Sequence, residues 1–228
     1  MITRGMDYPA YIRDATPPDS CCVPAGALPH VVEGQVNEAV VATVGINPHG
    51  VWHCSHYPPM AASGAEELWE DKRRYFENHR YRYFTVLEPI LNACGASYGG
   101  RYVSSQPNLA CSMDVVQWPT DPLWRKLDRR VQDRLIEDGR PFFEKVLRES
   151  PNIRLLLGNG RTVAETLERI FGTRFEERVE RCLGTSVFCG ELLGRRFVGW
   201  SQFLSNSRMR RSQRAELASL VGRLSTSG

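Results

Sequence analysis

Two residues stand out as able to do chemistry. Asn47 lies in Gly45-Ile46-Asn47-Pro48-His49-Gly50, and Asp114 lies in Met113-Asp114-Val115-Val116. The side-chain carbonyl of an Asn can hold a water, and its amide can donate, but it is no general base. An unpaired carboxylate inside an apolar strand is costly, so Asp114 needs a partner or a function. An Arg or a helix N-terminus would be the bland partner. A third group is Asn206-Ser207-Arg208-Met209-Arg210-Arg211. Arg forks suit phosphate, and an apolar Met among them at a loop tip suits a wedge pushed into a base stack. The competing reading is a basic helix start whose Met packs inward.

Other constellations point away from their usual chemistry. The stretch 49–62 holds His49, Trp52, His53, Cys54, His56 and Tyr57. Three His and a Cys crowd into eight residues with no second-half partner. A polar and aromatic pocket wall is therefore expected there, and no metal. The seven Cys are odd in number and form no Cys-x-x-Cys pair, so neither a disulfide framework nor a zinc ribbon is expected. Reduced thiols and a cytoplasmic location follow. No P-loop or acidic metal cluster supports a nucleotide hydrolase. No Lys lies in the strand-end loops, which disfavours Schiff-base chemistry.

Composition sets the frame. At 228 residues and 42% apolar, the chain suits one substantial α/β domain. No run reaches the length of a membrane helix, and the first residues lack a signal-peptide pattern. The net charge is +3, with 26 Arg and only three Lys, Lys72, Lys126 and Lys145. Arg-rich surfaces suit nucleic acid, and a GC-rich genome gives the same bias.

The elements that must position these residues alternate between strand and helix. Ala39 to Gly45 is an uncharged, Val-rich run that reads as a buried parallel strand. Pro48 removes a donor and pushes Asn47 out of the helical region, so the strand ends abruptly. Ligands of open α/β sheets bind at such carboxyl ends. Residues 1–35 read as an extended arm anchored by Tyr8, Tyr11 and Ile12. Helices are expected at 64–78 and 84–94, a second strand at 109–116, and helical segments at 122–137 and 140–149. A third strand spans 152–158, and Thr162 is expected to cap a helix over 163–171. Short strand-like pieces follow over 174–200, with a hairpin around Leu193-Gly194-Arg195. A terminal amphipathic helix over 212–224 turns Leu217, Leu220, Val221 and Leu224 inward. Strands alternating with helices indicate a parallel sheet covered on both faces.

GINP at the end of the first strand resembles motif one of the uracil-DNA glycosylase superfamily, closest to its mismatch-specific and single-strand-selective branches. Residues 200–211 resemble its motif two, a Ser-containing loop before the last helix, with Asn206-Ser207 where a Pro-Ser pair is usual. Leu155 to Ala164 resembles its third strand and following helix. The similarity runs in the right order across 39–224. It implies a three-layer α/β/α sandwich with a mostly parallel four-stranded sheet. It implies that Asn47 holds the attacking water within a base pocket made by Gly45, Ile46, Pro48, His49 and Trp118. Trp52 or Tyr57 would stack on the extruded base. Residues 206–211 would grip DNA. Some branches carry a four-cysteine iron–sulfur cluster, but the Cys spacing here does not match it, and no cofactor is expected.

The superfamily often places an Asn at the position of Asp114, where it reads the pyrimidine edge. An ionised carboxylate only accepts, so it repels uracil O4 and suits the N4 amino group of cytosine. Excising plain cytosine would destroy the host genome, so a modified cytosine, as in phage DNA, is the expected target. The sequence thus predicts a monomeric, nucleoid-associated, monofunctional DNA glycosylase of a single domain over 1–228. The alternatives are a uracil, thymine or hypoxanthine repair glycosylase with a structural Asp114, and a non-catalytic nucleic-acid-binding module.

Overall fold

A computed structural model describes residues 6–18, 22–48 and 64–226, and for Asn206 the backbone alone. Its strands are β1 (Ala39–Gly45), β2 (Ala96–Ser97), β3 (Asn108–Asp114), β4 (Leu155–Asn159), β5 (Glu176–Glu180), β6 (Thr185–Leu192) and β7 (Arg195–Trp200). They form one seven-stranded sheet in the order β2-β3-β1-β4-β7-β6-β5. The first five in that order run parallel, and β6 and β5 add an antiparallel edge.

Among the described residues seven strands stand where four were expected. The core β3-β1-β4-β7 is extended by the two-residue β2 and by the β5–β6 pair. The edge strand β5, Glu-Glu-Arg-Val-Glu, is polar and almost wholly exposed, so it carries no hydrophobic run to reveal it. The expected hairpin joins β6 to β7, and its turn places Leu193 at φ 50° and Gly194 at φ 73°. Left-handed conformations at both central residues match the twist of the flanking strands.

The helices are α1 (Tyr8–Asp14), α2 (Ala65–Arg73), α3 (Tyr75–Asn78), α4 (Arg82–Ala93), α5 (Arg129–Glu149), α6 (Arg161–Phe171) and α7 (Arg211–Thr226). β1 is buried at every position but Val40 and β4 throughout, the mark of a sheet covered on both faces. The two helical segments expected over 122–149 are instead a 3-10 turn, Trp124–Lys126, and the single 21-residue helix α5. Asp128 caps α5 by accepting from Arg130 N at 2.8 Å, and Pro141 is carried inside it. α6 starts two residues earlier than expected. Gly160 at φ 111° is its N-cap, and Thr162 makes no cap bond.

Residues 6–18 and 22–36 are bound along the domain. Tyr8 stacks on Trp69 of α2 with ring centroids 4.0 Å apart, and Tyr8 and Ile12 are buried. Further on, Glu33 and Ser112 exchange backbone hydrogen bonds, each at 2.9 Å, in an isolated antiparallel bridge. His30 N donates to Gln117 O at 2.6 Å. This stretch therefore covers the outer edge of β3 beyond the reach of β2, and it brings His30 and Glu33 to the end of that strand. Among the described residues no helix is long and apolar enough to cross a membrane.

Candidate functional site

The parallel strands bring their carboxyl ends to one edge of the sheet, and three residues there lie level with one another. Gly45 pairs with Asp114 of β3, and Val44 pairs with Gly158 of β4, which sets Asn159 beside Gly45. Asn159 in turn pairs with Trp200 of β7. Paired residues of parallel strands point their side chains to the same face. The row therefore reads carboxylate, bare backbone, amide. The glycine is required by close approach: a Cβ on Gly45 would lie 2.1 Å from Asp114 Oδ1 and 3.5 Å from the Tyr83 hydroxyl.

Asp114 has the partner that its burial demands, and it comes from a segment remote in sequence. Asp114 Oδ2 lies 3.2 Å from His30 Nδ1, and its side chain is 13% exposed. His30 Nε2 lies 3.0 Å from Glu33 Oε1, and Lys72 Nζ of α2 donates to that same Glu33 oxygen at 3.0 Å. The chain Asp114–His30–Glu33–Lys72 thus alternates acid and base from the sheet edge into the interior. An imidazole between two carboxylates needs a proton on each nitrogen, or a protonated carboxyl on one side. Burial and the Lys72 charge act to lower the His30 pKa, but Glu33 and Asp114 prevail and raise it above 6.5. Burial acts to raise Glu33, yet Lys72 and His30 bring it down to about 2. Burial is the largest influence on Lys72 and takes it below the ordinary lysine value. With Oδ2 committed to His30, Asp114 presents Oδ1 above Gly45.

Asn47 follows on the same edge. The β1–β3 pairing continues past the strand ends, with Val115 N donating to Gly45 O at 3.1 Å and Val116 N to Ile46 O at 2.9 Å. This zippering draws Asn47 to the 117–120 turn. Its Nδ2 donates to Thr120 Oγ1 at 3.1 Å and to Pro48 O at 3.2 Å. Both amide protons are thereby spent on orientation, and Oδ1 faces away as an acceptor with no hydrogen bond among the described residues. Ile46 packs against both hydrophobic clusters, and Pro48 is buried.

The far side of the row is built by β4, α4 and the loop after β7. Asn159 Oδ1 accepts from Trp200 Nε1 at 3.1 Å and from Leu204 N at 3.3 Å. Gly160 N and Arg161 N donate to Trp200 O and Ser201 O, tying this loop to the start of α6. Phe203 is 43% exposed at the loop's tip, and its ring centroid lies 5.6 Å from that of Tyr83. Burial chiefly, and the nearby Asp114 charge, raise the Tyr83 pKa, while Asn159 opposes the rise.

Several expected site residues sit elsewhere. Trp118 is 1% exposed and belongs to a separate hydrophobic cluster with Trp124, Leu127, Leu135 and Ile136. Its Nε1 donates to Asp138 of α5 at 3.0 Å. This is core packing, and it corrects the assignment of Trp118 to the base pocket. Met209 is 8% exposed within the main core, so it is not an exposed wedge. Burying an apolar thioether is more favourable than presenting it to water, even between two Arg. Arg208, Arg210 and Arg211 are exposed around it. Gln213 Oε1 accepts from Arg210 N at 2.9 Å, which caps α7, and Ser207 Oγ donates to Leu204 O at 3.3 Å. Asn206 closes the 3-10 turn Leu204–Asn206. His49, Trp52 and Tyr57 lie outside the described residues.

His30, Glu33, Lys72, Tyr83, Thr120 and Asn159 were not singled out from sequence. Asn159 carried a usable signal, because it ends the apolar run Leu155-Leu-Leu-Gly as Asp114 ends its own. His30 and Glu33 offered only their i, i+3 spacing around Val31-Val32. A groove of 580 Å³ between α4 and α7 is lined by Pro89, Ala93, Ala218 and Gly222 with Ser219, Arg223 and Thr226, none of which belongs to this edge. Among the described residues no group of three or more His, Cys, Asp or Glu is placed to hold a metal ion. Compared with protein-family models and with curated proteins, the chain matches none.

Gly45→Ala tests the floor of the row. The new Cβ would displace Asp114 Oδ1 while leaving the strand conformation accessible, since Gly45 is not left-handed. The expected outcome is a folded protein destabilised by about 1–3 kcal/mol in thermal melts. Any activity that depends on Asp114 should be lost with it.

Proposed function

We propose that the chain is a monofunctional DNA glycosylase that takes a modified cytosine, extruded from DNA, and hydrolyses its N-glycosidic bond. The observation that carries this reading is the pairing of two pre-oriented groups on one sheet edge. Asn47 offers a carbonyl fixed by Thr120, and Asp114 offers one carboxylate oxygen fixed by His30. An extruded cytosine-type base would give its N4 amino hydrogen to Asp114 Oδ1. Asn47 Oδ1 would hold a water against the sugar.

Because Asn is no base, the transition state must be dissociative, with an oxocarbenium-like sugar. The C1′–N1 bond breaks and its electron pair leaves with the base. The water oxygen then bonds to C1′ and its proton passes to solvent, while the base takes one up. The exposed Arg208, Arg210 and Arg211 would meet phosphates, which dominate affinity. A nucleoid-associated, cytoplasmic protein acting as a monomer fits this role.

The test is alkali-sensitive strand breakage on duplexes carrying uracil, cytosine and cytosines of differing modification. Breakage confined to modified cytosine supports the reading. Breakage at uracil favours a repair enzyme, and none on any duplex favours a binding module. Asn47→Ala should lower turnover about a hundredfold, the scale of a misplaced reactant. Its DNA affinity in a mobility-shift assay should be unchanged. Full turnover in that variant would remove Asn47 from the mechanism.

A further inference from the structure

The amide of Asn159 is unusual in being half satisfied. The residue is 2% exposed, and its Oδ1 accepts two hydrogen bonds, from Trp200 Nε1 and Leu204 N. Those two donors determine which way the amide faces. Its Nδ2 is buried and makes no hydrogen bond of good geometry. A buried donor left unmade is expensive, and a site that tolerates one needs a reason. The group on that side is the Tyr83 hydroxyl, which lies 3.5 Å from where a Gly45 Cβ would stand. Asn159 therefore points fixed donors at the space above Gly45, which Asp114 Oδ1 approaches from the other side.

Asp114 and Asn159 stand two strand spacings apart, about 10 Å between backbones. That separation leaves room between the side chains for one ring edge with a hydrogen bond at each end. On the Asp114 side the edge must donate, and on the Asn159 side it must accept. Cytosine-type bases present an N4 donor followed by the N3 and O2 acceptors, whereas uracil presents the O4 acceptor followed by an N3–H donor.

We propose that Asn159 is a specificity-determining residue, whose buried Nδ2 donates to the N3 acceptor of a cytosine-type base while Asp114 Oδ1 accepts from its amino group. This rests on the glycosylase reading above. The base edge takes the place that the Tyr83 hydroxyl holds in the unliganded protein. Phe203, exposed beside Tyr83, borders the same space. Two opposite requirements on one edge discriminate more sharply than either alone, because uracil sets its O4 acceptor against Asp114 Oδ1 and its N3–H donor against Asn159 Nδ2 and leaves both unpaired.

The experiment measures binding, so it does not require the correct modification. Duplexes carry one 2′-fluoroarabino nucleotide, whose glycosidic bond resists cleavage, with cytosine, 5-hydroxymethylcytosine or uracil as the base in a mismatch. Fluorescence anisotropy compares wild type with Asn159→Asp, which keeps an acceptor for Trp200 and Leu204 but replaces the donors. The wild type should prefer both cytosine duplexes over uracil. Asn159→Asp should weaken binding to the cytosine duplexes about tenfold, the scale of one direct base contact. Its affinity for a fully paired control duplex should not change. If the wild type discriminates and Asn159→Asp discriminates equally, the role of Asn159 is overturned and the glycosylase reading stands. If the wild type shows no preference between cytosine and uracil, both fail. Should Asn159→Asp not fold, Tyr83→Phe decides. It should keep the cytosine preference, with equal or tighter binding, because it removes only the group that the base displaces. Loss of the preference in Tyr83→Phe would move the reading role to Tyr83 and overturn the proposal.

Discussion

If the chain is the proposed glycosylase, Asp114→Asn should reverse its base preference while leaving it folded. In the wild type, His30 Nδ1 lies 3.2 Å from Oδ2, and Oδ1 stands over Gly45. An Asn at this position has one acceptor and one donor group. His30 decides which faces inward. Its Nδ1–H selects the Asn carbonyl, which turns the Asn NH2 towards the space above Gly45. A carboxylate acceptor becomes an amide donor at the same point. Activity on cytosine-type bases should fall, and activity on uracil, whose O4 accepts, should rise. The change in discrimination should be on the order of 1–3 kcal/mol, as for one direct base contact. Matched duplexes differing only in the base, with base release followed over time, make the measurement. An unchanged preference would remove Asp114 from base reading, and failure to fold would make it structural.

Lys72→Met should cost more stability than any other single change at this site. Lys72 and Glu33 are both buried, with side chains 4% and 3% exposed, and they share a 3.0 Å contact. Removing one member of a buried pair costs about 3–5 kcal/mol, and here it leaves Glu33 with His30 as its remaining cationic neighbour. For a protein of this size that is roughly a 10 °C fall in Tm. The double variant Glu33→Gln/Lys72→Met should recover part of the loss, because the stranded carboxylate is gone, and the difference measures the coupling.

The same network sets a pH window. Glu33 is lowered from 4.5 to about 2, so its contribution is complete above pH 4.5 and is lost as pH falls through about 2. His30 is raised above 6.5, so its contribution is complete below that pH and is lost as pH rises through its folded value. Chemical denaturation across pH should show wild-type stability greatest between these limits. In Lys72→Met the acid limb should be shallower and end at a higher pH, because Glu33 has lost its strongest stabilising charge and its folded value rises towards the unfolded one. Equal acid limbs in the two proteins would show that Lys72 does not hold Glu33 ionised.

Much of this arrangement is local and therefore legible from residue order. The run Ala39 to Gly45 is uncharged at every position and ends in Gly-x-Asn-Pro, so a buried strand with an abrupt end follows from hydrophobicity and from the missing proline donor. The same reasoning located β3, β4, the β6–β7 hairpin and α7, and it marked Asn47 at a strand end and Asp114 as a carboxylate within an apolar strand, which in the structure ends at Asp114. It also raised the question of what partner Asp114 has.

The answer lies in tertiary structure alone. His30 and Glu33 reach Asp114 because the segment before β1 pairs with β3 at Glu33 and Ser112. No periodicity in residues 22–36 announces that bridge. Lys72 joins because α2 packs its one buried cation against Glu33. Tyr83 and Asn159 meet across Gly45 only once β4 takes its place beside β1. Met209 and Trp118 show the converse. Each has a composition that suits a ligand-facing role, and each is drawn into the core, because burying apolar surface outweighs the polarity of its neighbours in sequence. Spacing along the chain determined which residues end strands. Strand order, and the partners that remote segments bring to a buried charge, determined which of those ends converge and what each can offer, because the cost of leaving such a charge unpaired is settled in three dimensions.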